Sequence, residues 1–120
     1  MNSPRDSIAV DTKSVQALDS AHYIHAFTDT KALATQGARV IVKGEGIYIW
    51  DSEGKKILDG MSGLWCVNVG YGRKELSRAA VAQMDVLPYY NSFFNTTNLP
   101  AVNLAKAIVD VAPDGFNHVF

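Results

Sequence analysis

The sequence predicts an α/β chain that forms the front part of a larger α/β protein. Three short runs rich in β-branched residues, at 39–43, 47–50 and 56–59, are separated by glycine turns, a pattern typical of an antiparallel meander. Two amphipathic helical segments follow, and residues 116–120 resemble the opening of a strand. A helix that leads into a new strand indicates a crossover unit, and the partner strands of that unit are expected outside the 120 residues.

Composition excludes several classes of function. The formal net charge is −1 and the basic residues are scattered, so nothing favours nucleic acid or an anionic membrane as a partner. No segment approaches the ~20 apolar residues that span a bilayer. The polar start, residues 1–12, has no apolar core of a signal peptide and is expected to be a mobile tail. The single cysteine, Cys66, fits a reducing compartment, so a cytoplasmic location is expected.

The first helix is predicted from Ser14, with Ser14 as its N-cap and Val15 and Leu18 on its apolar face. His22 and His25 are three residues apart, but no third metal ligand lies near them in the sequence, so a metal site is not expected. Phe27 follows in a polar context. It is either an anchor for this arm or an aromatic side chain delivered to a pocket.

The segment Asp59–Tyr71 holds three of the nine glycines and one of the two tryptophans. On composition alone it is a glycine-rich turn whose Trp65 plugs a core. The alternative is a backbone shaped by glycine to present Leu64 and Trp65. The amides at Gly70–Gly72 could receive a phosphate, although a plain connection to the next helix is favoured because no P-loop pattern is complete.

That next helix is predicted to end before Pro88, and a second one is predicted from Asn98, as N-cap, to about Ala112. Between them lies Tyr89–Thr97, where four aromatic residues alternate with Asn and Ser. This mixture suits an interface or a pocket rim, and a loop tucked under the helix is the alternative. No catalytic triad, zinc spacing or Walker motif is present, so the residues indicate pocket walls without catalytic groups.

Gly44–Gly54 resembles the start of class III aminotransferases, the fold-type I enzymes that use pyridoxal phosphate. The run Asp59–Tyr71, with His25–Asp29 and Tyr90–Phe94, is similar to the ω-amino acid and amine:pyruvate branch. The resemblance covers about Ser14 to Phe120. It implies a tail and helical arm at 1–37, the antiparallel meander of the small domain at 38–62, and the first helices of the large cofactor-binding domain at 63–120.

The resemblance implies transfer of the amino group of an amine, diamine or ω-amino acid to pyruvate through pyridoxal phosphate, giving an aldehyde or ketone and alanine. It also implies a homodimer or tetramer with shared active sites. Leu64 and Trp65 would form a wall of the substrate pocket, and Phe27 would close its mouth. Phe93, with Phe94 beside it, would reach across the dimer interface.

The resemblance places the lysine that binds the cofactor, and the other catalytic and cofactor-binding residues, after Phe120, so none is expected within 1–120. Asn98-Leu99-Pro100 departs from the His-Pro common in that family. A non-catalytic dimerisation or binding fragment is the alternative function if the native chain ends at residue 120.

Overall fold

The computed structural model describes residues 10–120, so the expected tail lies outside the described residues as far as residue 9. At its end the prediction was wrong, because Asp11 caps the first helix and Thr12 begins it. The described chain divides into two compact units, the first ending at Arg73 and the second spanning Lys74–Phe120. Each unit is described by itself. The domain boundaries implied by the family resemblance stay a prediction.

Helix α1 spans Thr12–His22 and begins because the side chain of Asp11 accepts hydrogen bonds from the first free amides of the helix. The prediction that Ser14 is the N-cap was wrong. The hydroxyl of Ser14 instead donates to Asp11 Oδ2 at 2.6 Å, because a carboxylate one turn earlier is the stronger acceptor.

Helix α2 spans Thr30–Gln36 and was not predicted individually. Its N-cap is Asp29, whose Oδ1 accepts from the amides of Lys31 and Ala32 at 2.9 and 3.1 Å. Seven residues make only two turns, too few for a hydrophobic periodicity to show in the sequence.

The predicted meander is confirmed. Strands β1 (Ile41–Glu45), β2 (Tyr48–Asp51) and β3 (Lys56–Leu58) form an antiparallel sheet in the order β1-β2-β3. Strand β1 extends to Glu45, so the first turn is shorter than the predicted break at 44–46. The second turn is held by Asp51, whose Oδ1 accepts the amides of Glu53 and Lys55.

The two faces of the sheet differ in chemistry. On one face the ammonium group of Lys56 lies 4.0 Å from the ring centre of Tyr48, and that of Lys43 lies 4.9 Å from Trp50. Side chains alternate along a strand, so the register Gly44↔Ile49↔Ile57 defines the other face. Gly44, on this second face, leaves room for the ring of Tyr71.

The segment Asp59–Tyr71 returns to the sheet through an antiparallel bridge between Gly46 and Tyr71. It contains one short helical turn, α3 (Ser62–Trp65), whose backbone departs from the right-handed helix.

In the second unit, helices α4 (Lys74–Val86) and α5 (Leu99–Val111) confirm the two predicted helices. Asn98 caps α5 as predicted, its Oδ1 accepting the amide of Ala101 at 3.0 Å. Residues 116–120 are not paired as a strand within the described chain. The expected strand there stays a prediction, because its partner strands are expected outside the 120 residues.

Among residues 10–120 no hydrophobic side chain is buried, and the one buried residue is Asp51. The described elements are therefore held by caps, sheet pairing and turn hydrogen bonds rather than by a core. No helix in this part of the chain is long and apolar enough to cross a membrane.

Candidate functional site

Backbone strain marks the residues of interest. Positive φ is rare for non-glycine residues, and for bulky ones it is a real outlier. Among residues 10–120 it occurs at six of them: Phe27 (50°), Ser62 (51°), Leu64 (59°), Trp65 (67°), Phe94 (55°) and Asn95 (62°). Four of the five residues singled out by the sequence belong to this set, and Phe93 precedes another member directly. Strained backbone of this kind concentrates at functional sites.

The turn α3 is left-handed throughout. Its four residues have φ between 51° and 67°, and Gly63 and Leu64 have ψ of 36° and 57°. The left-handed helix costs roughly 1–2 kcal/mol for each residue other than glycine. Three such residues, Ser62, Leu64 and Trp65, therefore store on the order of 3–6 kcal/mol, so the surrounding contacts must fix this conformation.

Asp59 supplies those contacts. Its Oδ2 accepts the phenol of Tyr71 at 2.6 Å and the amide of Gly63 at 2.8 Å, and its Oδ1 accepts the amide of Met61 at 3.2 Å. The hydrogen bond from Tyr71, helped by those amides, lowers the pKa of Asp59 below its ordinary value. The same bond, with burial and the carboxylate charge, raises the pKa of Tyr71. The pair is thus held as a carboxylate and a neutral phenol.

Tyr71 is itself fixed to the sheet. Its amide donates to the carbonyl of Gly46 at 2.8 Å, and the amide of Gly46 donates back at 3.1 Å. Its ring covers Gly44 so closely that a Cβ there would come within 2.7 Å of two ring carbons. At the turn itself, a Cβ on Gly63 would meet Val67 at 2.7 Å. Glycine at 44 and 63 is therefore required by space, and at 63, where φ is 57°, by conformation as well.

As a result, the side chains of Leu64 and Trp65 are exposed in the described chain rather than buried. Their side chains are 57% and 81% exposed, so within the described residues Trp65 plugs no core. The cleft beneath the segment, about 290 Å³, is lined by backbone and by side chains such as Ile47, Val67 and Tyr71, and neither Leu64 nor Trp65 borders it.

Phe27 lies in the connection between α1 and α2. His25 anchors this connection, with Nε2 at 2.9 and 3.0 Å from the two carboxylate oxygens of Asp19, and the hydroxyl of Thr28 donates to the carbonyl of Ala26. Phe27 itself is fully exposed. His25 is engaged by Asp19, and no group of three candidate metal ligands occurs among residues 10–120.

Phe93 and Phe94 lie in the second unit, in a loop held by polar side chains. The amide of Phe93 donates to Asn91 Oδ1 at 2.9 Å, and the hydroxyl of Thr96 donates to the carbonyl of Phe93 at 2.6 Å. The two rings meet edge to face, with centroids 6.3 Å apart, and both are exposed. Among the five predicted residues, the ring contact recorded in the described chain is that between Phe93 and Phe94, and Leu64 and Trp65 are neighbours in sequence.

The pair Asp59–Tyr71 was missed by the sequence reasoning. The two residues flank the glycine-rich segment at a separation of twelve positions, which no helical or strand periodicity links. The available signal was the coincidence of a carboxylate and a phenol at the two ends of one glycine-rich stretch.

The segment does not form a phosphate cradle. The amide of Gly70 donates to the carbonyl of Val67 at 3.1 Å, and the amide of Tyr71 is taken by Gly46. The amides of Gly70 and Tyr71 are therefore not free to receive a phosphate.

Comparison with known proteins places these features in a family context. The family model described as aminotransferase class-III matches residues 31–120. A putrescine–pyruvate aminotransferase of Pseudomonas aeruginosa is 63% identical over 109 residues, covering 91% of this chain and 24% of that protein. A taurine–pyruvate aminotransferase of Rhodobacter capsulatus is 38% identical, covering 94% of this chain and 24% of that protein.

Among solved structures, an (S)-enantioselective ω-transaminase from Thermomicrobium roseum superposes with a TM-score of 0.88 at 38% identity. The match covers 92% of this chain and 25% of that one. The chain thus spans about a quarter of the length of the relatives it matches.

Proposed function

Because this chain belongs to the class III aminotransferases, we propose that the whole protein transfers the amino group of an amine, diamine or ω-amino acid to pyruvate. The described residues contribute part of its substrate-binding surface. The observation that carries the proposal is the left-handed turn, which presents Leu64 and Trp65 in an arrangement that the fold alone does not require.

The relatives support the substrate class. Two of them, named for putrescine and for taurine as amino donors, share pyruvate in their names. The much higher identity to the putrescine–pyruvate enzyme favours an aliphatic diamine as the donor.

The wall formed by Leu64 and Trp65 suits such a donor. An aliphatic diamine has a hydrocarbon chain that gains free energy by leaving water for an apolar surface. A rigid wall discriminates chain length better than a mobile one, since it does not adjust to a shorter or longer chain. In this proposal Phe27, an exposed residue that itself has positive φ, closes the mouth of the pocket.

Phe93 and Phe94 are proposed to act at a subunit interface. Exposed aromatic side chains on a loop held by Asn91 and Thr96 have the composition and rigidity that interface anchors show. The proposal is a homodimer or tetramer in which this loop contributes to the neighbouring subunit's site.

The proposed cofactor is pyridoxal phosphate, which when bound supplies an electron sink for the substrate carbon that loses its proton. No described residue is assigned to its phosphate, and its ligands are proposed to lie in the remainder of the protein. The proposed location is the cytoplasm.

The test uses the full-length holoenzyme. Purified protein is incubated with pyruvate and a series of amines, and alanine formation is measured for each. We expect alanine in proportion to amine consumed, with aliphatic diamines preferred. A full-length protein without cofactor absorbance and without amine-dependent alanine formation would refute the proposal.

The alternative, a non-catalytic dimerisation or binding fragment, is favoured by one observation. The aromatic surfaces of residues 10–120 are exposed and could serve binding alone. The intact mass of the native polypeptide separates the two functions, because a native chain of 120 residues would exclude the enzyme.

A further inference from the structure

The carboxylate of Asp59 links the inside of the left-handed turn to the far end of the segment. Within the turn it accepts the amides of Met61 and Gly63, and at the far end it accepts the hydroxyl of Tyr71. The Asp59 side chain thereby joins residues 61–63 to residue 71 through hydrogen bonds.

Tyr71 provides a fixed reference for this link. Its backbone pairs with Gly46 in both directions and its ring lies on Gly44, so the ring stays on the sheet whether or not its hydroxyl is bonded. The hydroxyl of Tyr71 thus connects the sheet to Asp59 through a hydrogen bond.

Side-chain packing does not fix the position of the turn relative to the sheet. A cleft of about 290 Å³ lies between the hairpin and the segment, bordered by Ile47, Asp59, Ser62, Val67 and Tyr71. Because this cleft lies beside α3, the contacts that hold the turn on that side among residues 10–120 are hydrogen bonds rather than a filled core.

We propose that Asp59 and Tyr71 are positioning residues for the substrate wall: their hydrogen bond fixes the orientation of Leu64 and Trp65 and so sets the preference of the enzyme for long over short amines. This inference rests on the proposed function. Neither residue is assigned a contact with the substrate. Their effect passes through the backbone of the left-handed turn.

The test compares Tyr71→Phe with the wild type in the full-length holoenzyme, with pyruvate saturating. The phenylalanine keeps the ring on Gly44 and removes the hydroxyl alone. We expect kcat/KM for putrescine to fall about tenfold, the effect of losing roughly one methylene's contact with an apolar wall. For ethylamine, which is too short to use the wall, we expect a change below about twofold.

Tyr48→Phe is the matched control. Tyr48 lies in the same sheet with its ring under Lys56, and its hydroxyl makes no hydrogen bond among the described residues. We expect this variant to keep the wild-type ratio of the two amines. Asp59→Asn, which retains one acceptor oxygen but lowers its charge, should shift the ratio in the same direction as Tyr71→Phe.

A second readout does not depend on turnover. Hydrogen exchange in the peptide that covers residues 59–71 should accelerate in Tyr71→Phe, because the amides of Met61 and Gly63 lose a fixed acceptor. An unchanged amine ratio in Tyr71→Phe, or an equal loss for both amines together with a lower melting temperature, would overturn the positioning role. A wild-type enzyme that transfers no amine would instead overturn the proposed function.

Discussion

Truncation of Trp65 tests whether this side chain recognises the substrate or supports the fold. In the described residues its side chain is 81% exposed, so only about a fifth of its surface is covered. A fully buried tryptophan removes up to about 250 Å² from water, so the covered part is roughly 50 Å². At ~25 cal/mol per Å² this amounts to about 1 kcal/mol.

A side chain that lines an open substrate pocket keeps about this coverage in the full-length protein, so on the proposed function Trp65→Ala should lose about 1 kcal/mol of stability, against about 3–5 kcal/mol for a tryptophan in a core. We expect its melting temperature to fall by no more than about 4 °C. Its loss of recognition should be larger. If the ring covers 50–100 Å² of a bound diamine, kcat/KM for putrescine falls by about 10- to 60-fold, with less effect on ethylamine.

The assay combines a thermal unfolding scan with the specificity constants for the two amines. Trp50→Ala is the control, since it removes the other tryptophan, which lies under Lys43 and Lys56 on the sheet. That variant should lower the melting temperature and leave the amine ratio intact. If Trp65→Ala instead cost as much stability as a core truncation and reduced both amines equally, the assignment of Trp65 to the substrate wall would be refuted.

Two further predictions concern the support of the wall. Gly44→Ala should destabilise the full-length protein by about 1–3 kcal/mol, because the new Cβ would lie 2.7 Å from the ring of Tyr71; Gly60→Ala, where no atom lies within 4 Å, is the neutral control in the same melting experiment. The Asp59–Tyr71 bond should also limit stability at both extremes of pH. The pKa of Asp59 is lowered on folding, so its contribution is present above its unfolded pKa and is lost as the pH falls through the folded value. The pKa of Tyr71 is raised, so its contribution is complete below about pH 10 and is lost as the pH rises through the folded value. The difference in tyrosinate absorbance between wild type and Tyr71→Phe should show a midpoint above 10, and a midpoint at or below that of free tyrosine would contradict the bond.

The meander was predictable because its signals are local. Glycine at 46 and 54 separates runs of β-branched and aromatic residues, and each turn lies between strands that are neighbours in sequence. The cap of α5 was predictable for the same reason, since Asn98 and the amide of Ala101 are three residues apart. Helix α2 escaped prediction because its seven residues are too few to show a period.

The left-handed turn could not be predicted from local preference. Leu64 and Trp65 disfavour positive φ, and glycine at 63 alone does not carry its neighbours into that region. The conformation depends on a bond between Asp59 and Tyr71, twelve residues apart, and on the room that Gly44 leaves on the sheet. Sequence reasoning therefore identified the side chains that are presented but not the groups that present them. The roles assigned to Phe27, Phe93 and Phe94 stay predictions.

The conformation of α3 also has a consequence for how this protein responds to selection. Glycine adopts positive φ without the cost that Ser62, Leu64 and Trp65 incur, so replacement by glycine at any of the three relieves the backbone. On the proposed function, a library screened for heat resistance alone would enrich glycine there, while a library screened for transfer of the amino group from a diamine would remove it. Thermal stability and substrate recognition are thus opposed at these three positions. A more stable variant with an unchanged substrate range has to gain its stability elsewhere in the chain.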